Sequence, residues 1–73
     1  MATFGERLNE LRKNKKVTQV DMAKFLEVSE QHYQRMEYNK VNIPMLTLIL
    51  LADYFGVSLD YLTGRTDKPK VNK

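Results

Sequence analysis

The chain has no cysteine and no tryptophan, a single histidine, His32, and only three glycines, Gly5, Gly56 and Gly64. Without cysteine no disulfide can staple the fold, and one histidine cannot assemble a structural zinc site, so no metal is expected. Glycines this far apart form no phosphate-cradling loop. With no thiol and no carboxylate pair matched to a base, the constellations that carry catalysis or hold a cofactor are missing as well. His32 reads as a surface or phosphate-facing residue rather than as a general base. Long apolar runs are also scarce. The longest, Leu48 to Ala52, is far short of the ~18 residues a membrane span needs. Glu6, Arg7, Glu10, Arg12 and Lys13 leave no apolar signal segment at the start, so a cytoplasmic location with no membrane partner is expected.

What is present fits one small helical domain. At 73 residues there is room for a single core. Below roughly 80 residues a core seldom supplies more than ~3–5 kcal/mol, so tight helix packing is needed, with or without the help of a second subunit. A hydrophobic fraction of 42% is ordinary for a folded chain and argues against wholesale disorder. Lys and Arg outnumber Asp and Glu by 12 to 9, which fits an anionic partner without demanding one. The cations cluster at Arg12, Lys13, Lys15 and Lys16, with Lys40 alone in the middle and Lys68, Lys70 and Lys73 at the end. Residues 1–64 read as the domain and 65–73 as a basic, flexible tail.

Local signals divide the domain into five helices. Phe4, Leu8 and Leu11 recur at helical spacing behind Thr3, with Glu6 three residues on. That pair predicts a capping box and a first helix over Phe4–Lys15. Thr18 and Asp21 repeat the pattern more weakly, because Asp reaches back less well than Glu, ahead of a second helix over Gln19–Leu26. Ser29 is the next N-cap, for a helix from Glu30 to about Tyr38 that Asn39 closes in the left-handed conformation. Pro44 suits the first turn of a fourth helix reaching Phe55, with Gly56 as its stop. Ser58 caps a short fifth helix, Leu59–Thr63, closed by Gly64. No strand-like alternation and no repeat appears.

The short link between the second and third helices is the informative feature, since it makes a helix-turn-helix whose second helix can enter a major groove. The outward positions of that helix are Glu30, Gln31, Gln34, Arg35 and Tyr38. Among these, Gln can pair bidentately with adenine, Arg with guanine, and Glu can accept from cytosine N4. The plain alternative is a solvated polar face.

At these residues the sequence resembles the Cro/repressor-type (Xre) helix-turn-helix proteins of bacteria and phages. RLNELRKNKKVTQVDMAKFLEVSEQHYQRMEYNK matches the family's first three helices and IPMLTLILLADYFGVSLDYLTGRTD its last two. The resemblance implies an all-α, compact five-helix lambda-repressor-like bundle. It implies base reading by Gln31 and Arg35, with Glu30 a third candidate, and phosphate binding by Gln19, Lys40 and Asn42. Gln19 would also brace the recognition helix. Arg12 and Glu37 would form a buried ion pair between the first and third helices. The implied function is sequence-specific binding of a double-stranded, pseudo-palindromic operator by a dimeric transcriptional regulator, most often a repressor. Switching would come from a protein anti-repressor or effector, from concentration-driven dimerisation or from proteolysis.

Several positions depart from the family pattern. Glu27 stands where the family often has Gly, so a left-handed backbone there would carry ~1 kcal/mol of strain. Tyr33 replaces a usual aliphatic and Asn39 a usual Gly. Leu46 and Leu50 replace charged or polar residues, leaving the fourth helix apolar almost all round. A helix of that kind needs covering on every side, so these leucines, with Tyr54 and Tyr61 as weaker members, are expected at a homodimer interface. The alternative function is a protein-interaction module of antitoxin or coactivator type on the same fold, in which the third helix need not be basic or Gln-rich.

Overall fold

Helix starts and stops account for the path of the chain. The computed structural model describes residues 2–68 and contains α1 (Phe4–Lys15), α2 (Gln19–Leu26), α3 (Glu30–Glu37), α4 (Met45–Phe55) and α5 (Leu59–Leu62), with no strand among the described residues. Thr3 and Glu6 exchange hydrogen bonds across the first turn of α1, at 3.2 and 3.0 Å. Thr18 and Asp21 do the same at the start of α2, both at 3.0 Å, so the shorter acid closes its box as well as Glu6 does. Ser29 Oγ accepts from the His32 N–H and Ser58 Oγ from the Tyr61 N–H, each at 3.0 Å. Pro44 lies one position earlier than expected. Its ψ of 148° is extended while its carbonyl already accepts from the Leu48 N–H, so it is the cap of α4 rather than part of its first turn.

All five helices stop in the same way. Lys16, Glu27, Asn39, Gly56 and Gly64 have φ between 58° and 83°. The residue after each sends its N–H back to a carbonyl five positions earlier, as Val28 does to Ala23 at 3.0 Å and Lys40 to Arg35 at 2.9 Å. This is the Schellman closure, which satisfies carbonyls that a helix end would otherwise strand. Three of these left-handed positions hold residues other than glycine, each bearing a steric cost that the surrounding packing must offset. α3 stops at Glu37, one residue before the expected end, because Tyr38 has already left the helical region at ψ 6°.

The core consists of Leu8, Met22, Tyr33, Met36, Leu51 and Leu62, all essentially inaccessible, with Ala23, Ala52 and Val57 beside them. α2 packs on α3, α1 packs on both α3 and α5, and α4 packs on α5. The first turn of α1 comes so close to the end of α3 that a Cβ on Gly5 would lie 2.2 Å from the Glu37 carbonyl oxygen. Arg7 is buried with its guanidinium 4.0 Å over the Tyr61 ring, and it pairs with Asp67. Residues 65–68, expected as the start of a flexible tail, are therefore held against the domain. The Arg65 and Thr66 N–H groups both donate to the Asp60 carbonyl. The remainder of the expected tail, 69–73, lies outside the described residues.

Candidate nucleic-acid interface

The turn between α2 and α3 is three residues long, Glu27 to Ser29. Glu27 takes the left-handed conformation at φ 58° and reverses the chain, and Ser29 restarts it as the cap of α3. This is the tight corner that lets a second helix project from a first. α3 buries Tyr33, Met36 and Glu37. A 3.6-residue period then turns Gln31, Arg35 and Tyr38 together to the opposite side, and all three are exposed. Glu30 is exposed at the helix start, while His32 and Gln34 are half-buried at the flanks. The outward strip thus carries an amide, a guanidinium and a phenol, with a carboxylate at one end.

On its inner side α3 is fastened by the carboxylate of Glu37, whose side chain is 2% exposed. Arg12 Nε donates to it at 2.7 Å, Asn9 Nδ2 at 2.8 Å and Gln19 Nε2 at 3.1 Å. Arg12 also donates to the Val17 carbonyl at 3.1 Å, tying in the link that follows α1. Burial works to raise the Glu37 pKa, but the donors, Arg12 foremost, outweigh it and hold the carboxyl below its ordinary 4.5. Tyr33 lies close by, completely buried, its hydroxyl outside bonding geometry with any described residue. Burial first and the Glu37 carboxylate second push its ionisation far up, so the phenol stays neutral. The aromatic in place of an aliphatic is thus a core residue.

Gln19 sits at the start of α2, half-buried, with one amide N–H engaged by Glu37. Its second N–H and the free backbone donors of the helix start are what it can offer an anion. Lys40 and Asn42 are exposed in the loop between α3 and α4. That loop leaves α3 through Asn39, whose Oδ1 accepts from the Gly5 N–H at 2.8 Å and whose Nδ2 donates to Thr3 Oγ1 at 2.9 Å. The reach of Asn39 to α1 and the addition of Asn9 to the Arg12–Glu37 pair were not read from sequence, since partners 28 to 36 positions apart leave no periodic trace. The bond from Gln19 to Glu37 is a brace on α3 of the kind the resemblance implied. Between α1 and α3, Glu6, Asn9, Glu10, Glu37 and Tyr38 line an open cleft. Its carboxylates make it repellent to phosphate. No cluster of His, Asp or Glu among the described residues could hold a metal ion.

α4 presents a second outward surface of different chemistry. Leu46 is 80% exposed, Met45 62%, Leu50 45% and Ile49 39%, a continuous apolar stripe opposite the buried Leu51 and Ala52. Met45 and Ile49 were missed in the sequence, although the i, i+4 spacing of Met45 with Ile49 and of Leu46 with Leu50 marks one face. Tyr54 and Tyr61 are half-buried within their own chain. Tyr54 stacks with Phe25 at 4.5 Å, and Tyr61 lies beneath Arg7.

Comparison with known proteins agrees with this geometry. A family model described as helix-turn-helix matches residues 8–62. Over 63 residues the chain is 41% identical to an SPbeta prophage-derived uncharacterized HTH-type transcriptional regulator, YonR, of Bacillus subtilis, covering 86% of this chain and 58% of that protein. It is 37% identical over 68 residues to the uncharacterized HTH-type transcriptional regulator YqaE of the same organism, covering 93% and 59% respectively. It is also 33% identical over 63 residues to the HTH-type transcriptional regulator PrpR of Mycobacterium tuberculosis, covering 86% of this chain and 13% of that protein. The chain therefore spans a little under three fifths of the Bacillus relatives. No helix among the described residues is long and apolar enough to cross a membrane.

Proposed function

Because this chain belongs to the Xre-type helix-turn-helix family, we propose that it binds duplex DNA sequence-specifically as a homodimer and regulates transcription as a repressor. The observation that carries this reading is the outward strip of α3, with Gln31 and Arg35 exposed on a helix whose other side is fixed by the Glu37 cluster. Gln31 and Arg35, with Glu30 at the helix start, read base edges in the major groove. Gln19, Lys40 and Asn42 grip phosphates and set the register. Arg12 and Glu37 hold the recognition helix at its angle and touch no DNA.

Dimerisation follows from size and surface. The described residues measure 32 Å along their longest axis, and successive major grooves on one face of the duplex are about 34 Å apart. One copy thus offers one helix to one groove, and a second copy is needed for the next. The α4 stripe, Leu46 and Leu50 with Met45 and Ile49, is the surface that joins them, with Tyr54 and Tyr61 as weaker members. Occupying the operator then excludes other proteins from it, which is repression in its simplest form.

Selection of bound duplexes from a random library tests the reading. The expected product is a symmetric site with half-site centres about 10 base pairs apart, or a multiple of that. If no duplex is enriched, the reading is wrong. A second reading, a protein-interaction module of antitoxin or coactivator type, then takes its place, favoured by the same exposed α4 stripe.

A further inference from the structure

Asn39 occupies a position where the backbone asks for glycine and the side chain does something glycine cannot. Its φ is 60°, the left-handed conformation that closes α3. From there its side chain crosses to the start of α1. Oδ1 accepts from the Gly5 N–H at 2.8 Å and Nδ2 donates to Thr3 Oγ1 at 2.9 Å. The Gly5 N–H is one of the first-turn donors that no helix can satisfy internally, so Asn39 is a second cap for α1 supplied from 34 residues away. Gly5 makes this approach feasible, since a Cβ there would lie 2.9 Å from Asn39 Nδ2 as well as against the Glu37 carbonyl. The next residue is Lys40, exposed, with its own N–H bonded back to Arg35 at 2.9 Å.

The loop that carries Lys40 and Asn42 is therefore held at its root from two directions, by the α3 backbone and by the Asn39 amide on α1. We propose that Asn39 is a positioning residue for phosphate gripping, which fixes Lys40 and Asn42 relative to the recognition helix. The proposal rests on the DNA-binding reading above. A loop ordered before contact loses less freedom on binding than one that must be ordered at the duplex. A phosphate contact serves every sequence alike, so the effect of losing the tether falls equally on operator and scrambled DNA.

The substitution Asn39→Gly separates positioning from mere stability. Glycine removes the strain of the left-handed backbone while the two tethering bonds are lost. Asparagine tolerates the left-handed region better than most residues, so the relief only partly offsets the lost bonds, and the thermal midpoint falls by a few degrees while the domain stays folded. Two readouts follow. Backbone relaxation and amide exchange over residues 40–42 should show increased mobility in the variant, and the Gly5 amide should exchange faster. Affinity for operator and scrambled duplex should fall together, by about 5- to 10-fold, with a shallower salt dependence. The control is Gly56→Ala, a change at another left-handed helix end with open space around it, which should lower the thermal midpoint without weakening binding. Unaltered mobility at 40–42, or unaltered affinity in a wild type that does bind, overturns this proposal alone. A wild type that binds no duplex overturns the DNA-binding reading and this proposal with it.

Discussion

α3 and α4 are neighbours in the chain and opposites in chemistry. α3 is held inward by a charged cluster, Glu37 with Arg12, Asn9 and Gln19, and shows amide, guanidinium and phenol outward. α4 is held inward by Leu51 and Ala52, has no acid in its first turn, no base in its last and no side-chain cap, and shows Met45, Leu46, Ile49 and Leu50 outward. The polar helix needs its inner cluster because eight residues with few apolar side chains bury too little to dock themselves. The apolar helix docks easily and is left with a surplus. Under the proposed function each outward surface suits a different partner. Hydrogen-bonding groups on a fixed helix suit base edges, and an uncovered apolar stripe suits a like stripe. Two copies would bring eight such side chains together, worth on the order of 10 kcal/mol at their partial exposures. Association costs about 4–15 kcal/mol, so the resulting dimer should be weak and concentration-dependent.

Glu37→Ala is the most severe way to break the α3 side of this comparison. It strands the Arg12 guanidinium, whose side chain is 12% exposed, and should cost about 3–5 kcal/mol, close to the whole stability of a domain this small. The variant should be largely unfolded by circular dichroism at 25 °C, and a midpoint shift of only a degree or two would refute the role given to the cluster. The same group sets a pH limit. A carboxyl held below 4.5 in the fold contributes stability that is complete above 4.5 and disappears as pH falls through the lower folded value. The Glu37 carboxyl resonance should titrate below 4.5, and melting temperature should decline over that acid range.

Leu50→Glu breaks the α4 side. Leu50 is 45% exposed and is not part of the buried core, so the fold should survive. Ultracentrifugation should show a monomer where wild type dimerises, and operator affinity should drop by about 100-fold as bivalency is lost. A wild type that stays monomeric at high concentration removes this surface from the account.

Arg35→Ala and Lys40→Ala sharpen the difference between reading and gripping. Arg35→Ala should cost about 1–3 kcal/mol on the preferred operator and little on scrambled duplex. Lys40→Ala should weaken both and lower the salt slope by about one, through one fewer released counterion. Equal losses on both duplexes for Arg35→Ala would make it a backbone clamp.

How much of this was legible in the sequence depended on distance along the chain. Helix starts were readable because capping joins residues three apart, as Thr3 with Glu6. The left-handed stop at Asn39 was readable because backbone preference is a property of one residue, whereas the strained turn at Glu27 came from resemblance, at a position where the family often has Gly. The pairing of Arg12 with Glu37 came from resemblance and not from any local signal. Nothing in the sequence announced that Asn39 would bond Gly5 and Thr3, that Asn9 would join Glu37, or that Arg7 would lie over Tyr61 and meet Asp67. Those contacts exist only once five helices have chosen their packing. Tyr33 was readable locally, since helical spacing sets it on one side of α3 with Met36 and Glu37, the side that is buried.

The smallest expected effect tests the strain stored at the corner between the two helices of the motif. Glu27 is exposed, its side chain makes no hydrogen bond among the described residues, and its φ is 58°. A left-handed conformation costs a residue with a Cβ about 1–2 kcal/mol. Replacing it with glycine removes that cost but frees the unfolded chain, which takes back about 0.4–1 kcal/mol. The relief is the larger of the two, so Glu27→Gly should stabilise the domain by about 0.5–1 kcal/mol. For a domain of this size that is a rise in melting temperature of about 2–8 °C. Gly56→Ala, at φ 67° with open space around its Cβ position, should move the other way by a similar amount. Both are read by thermal denaturation in one buffer at pH 7. If Glu27→Gly destabilises, the corner is held by something other than its backbone, and the turn that aims α3 is not strained.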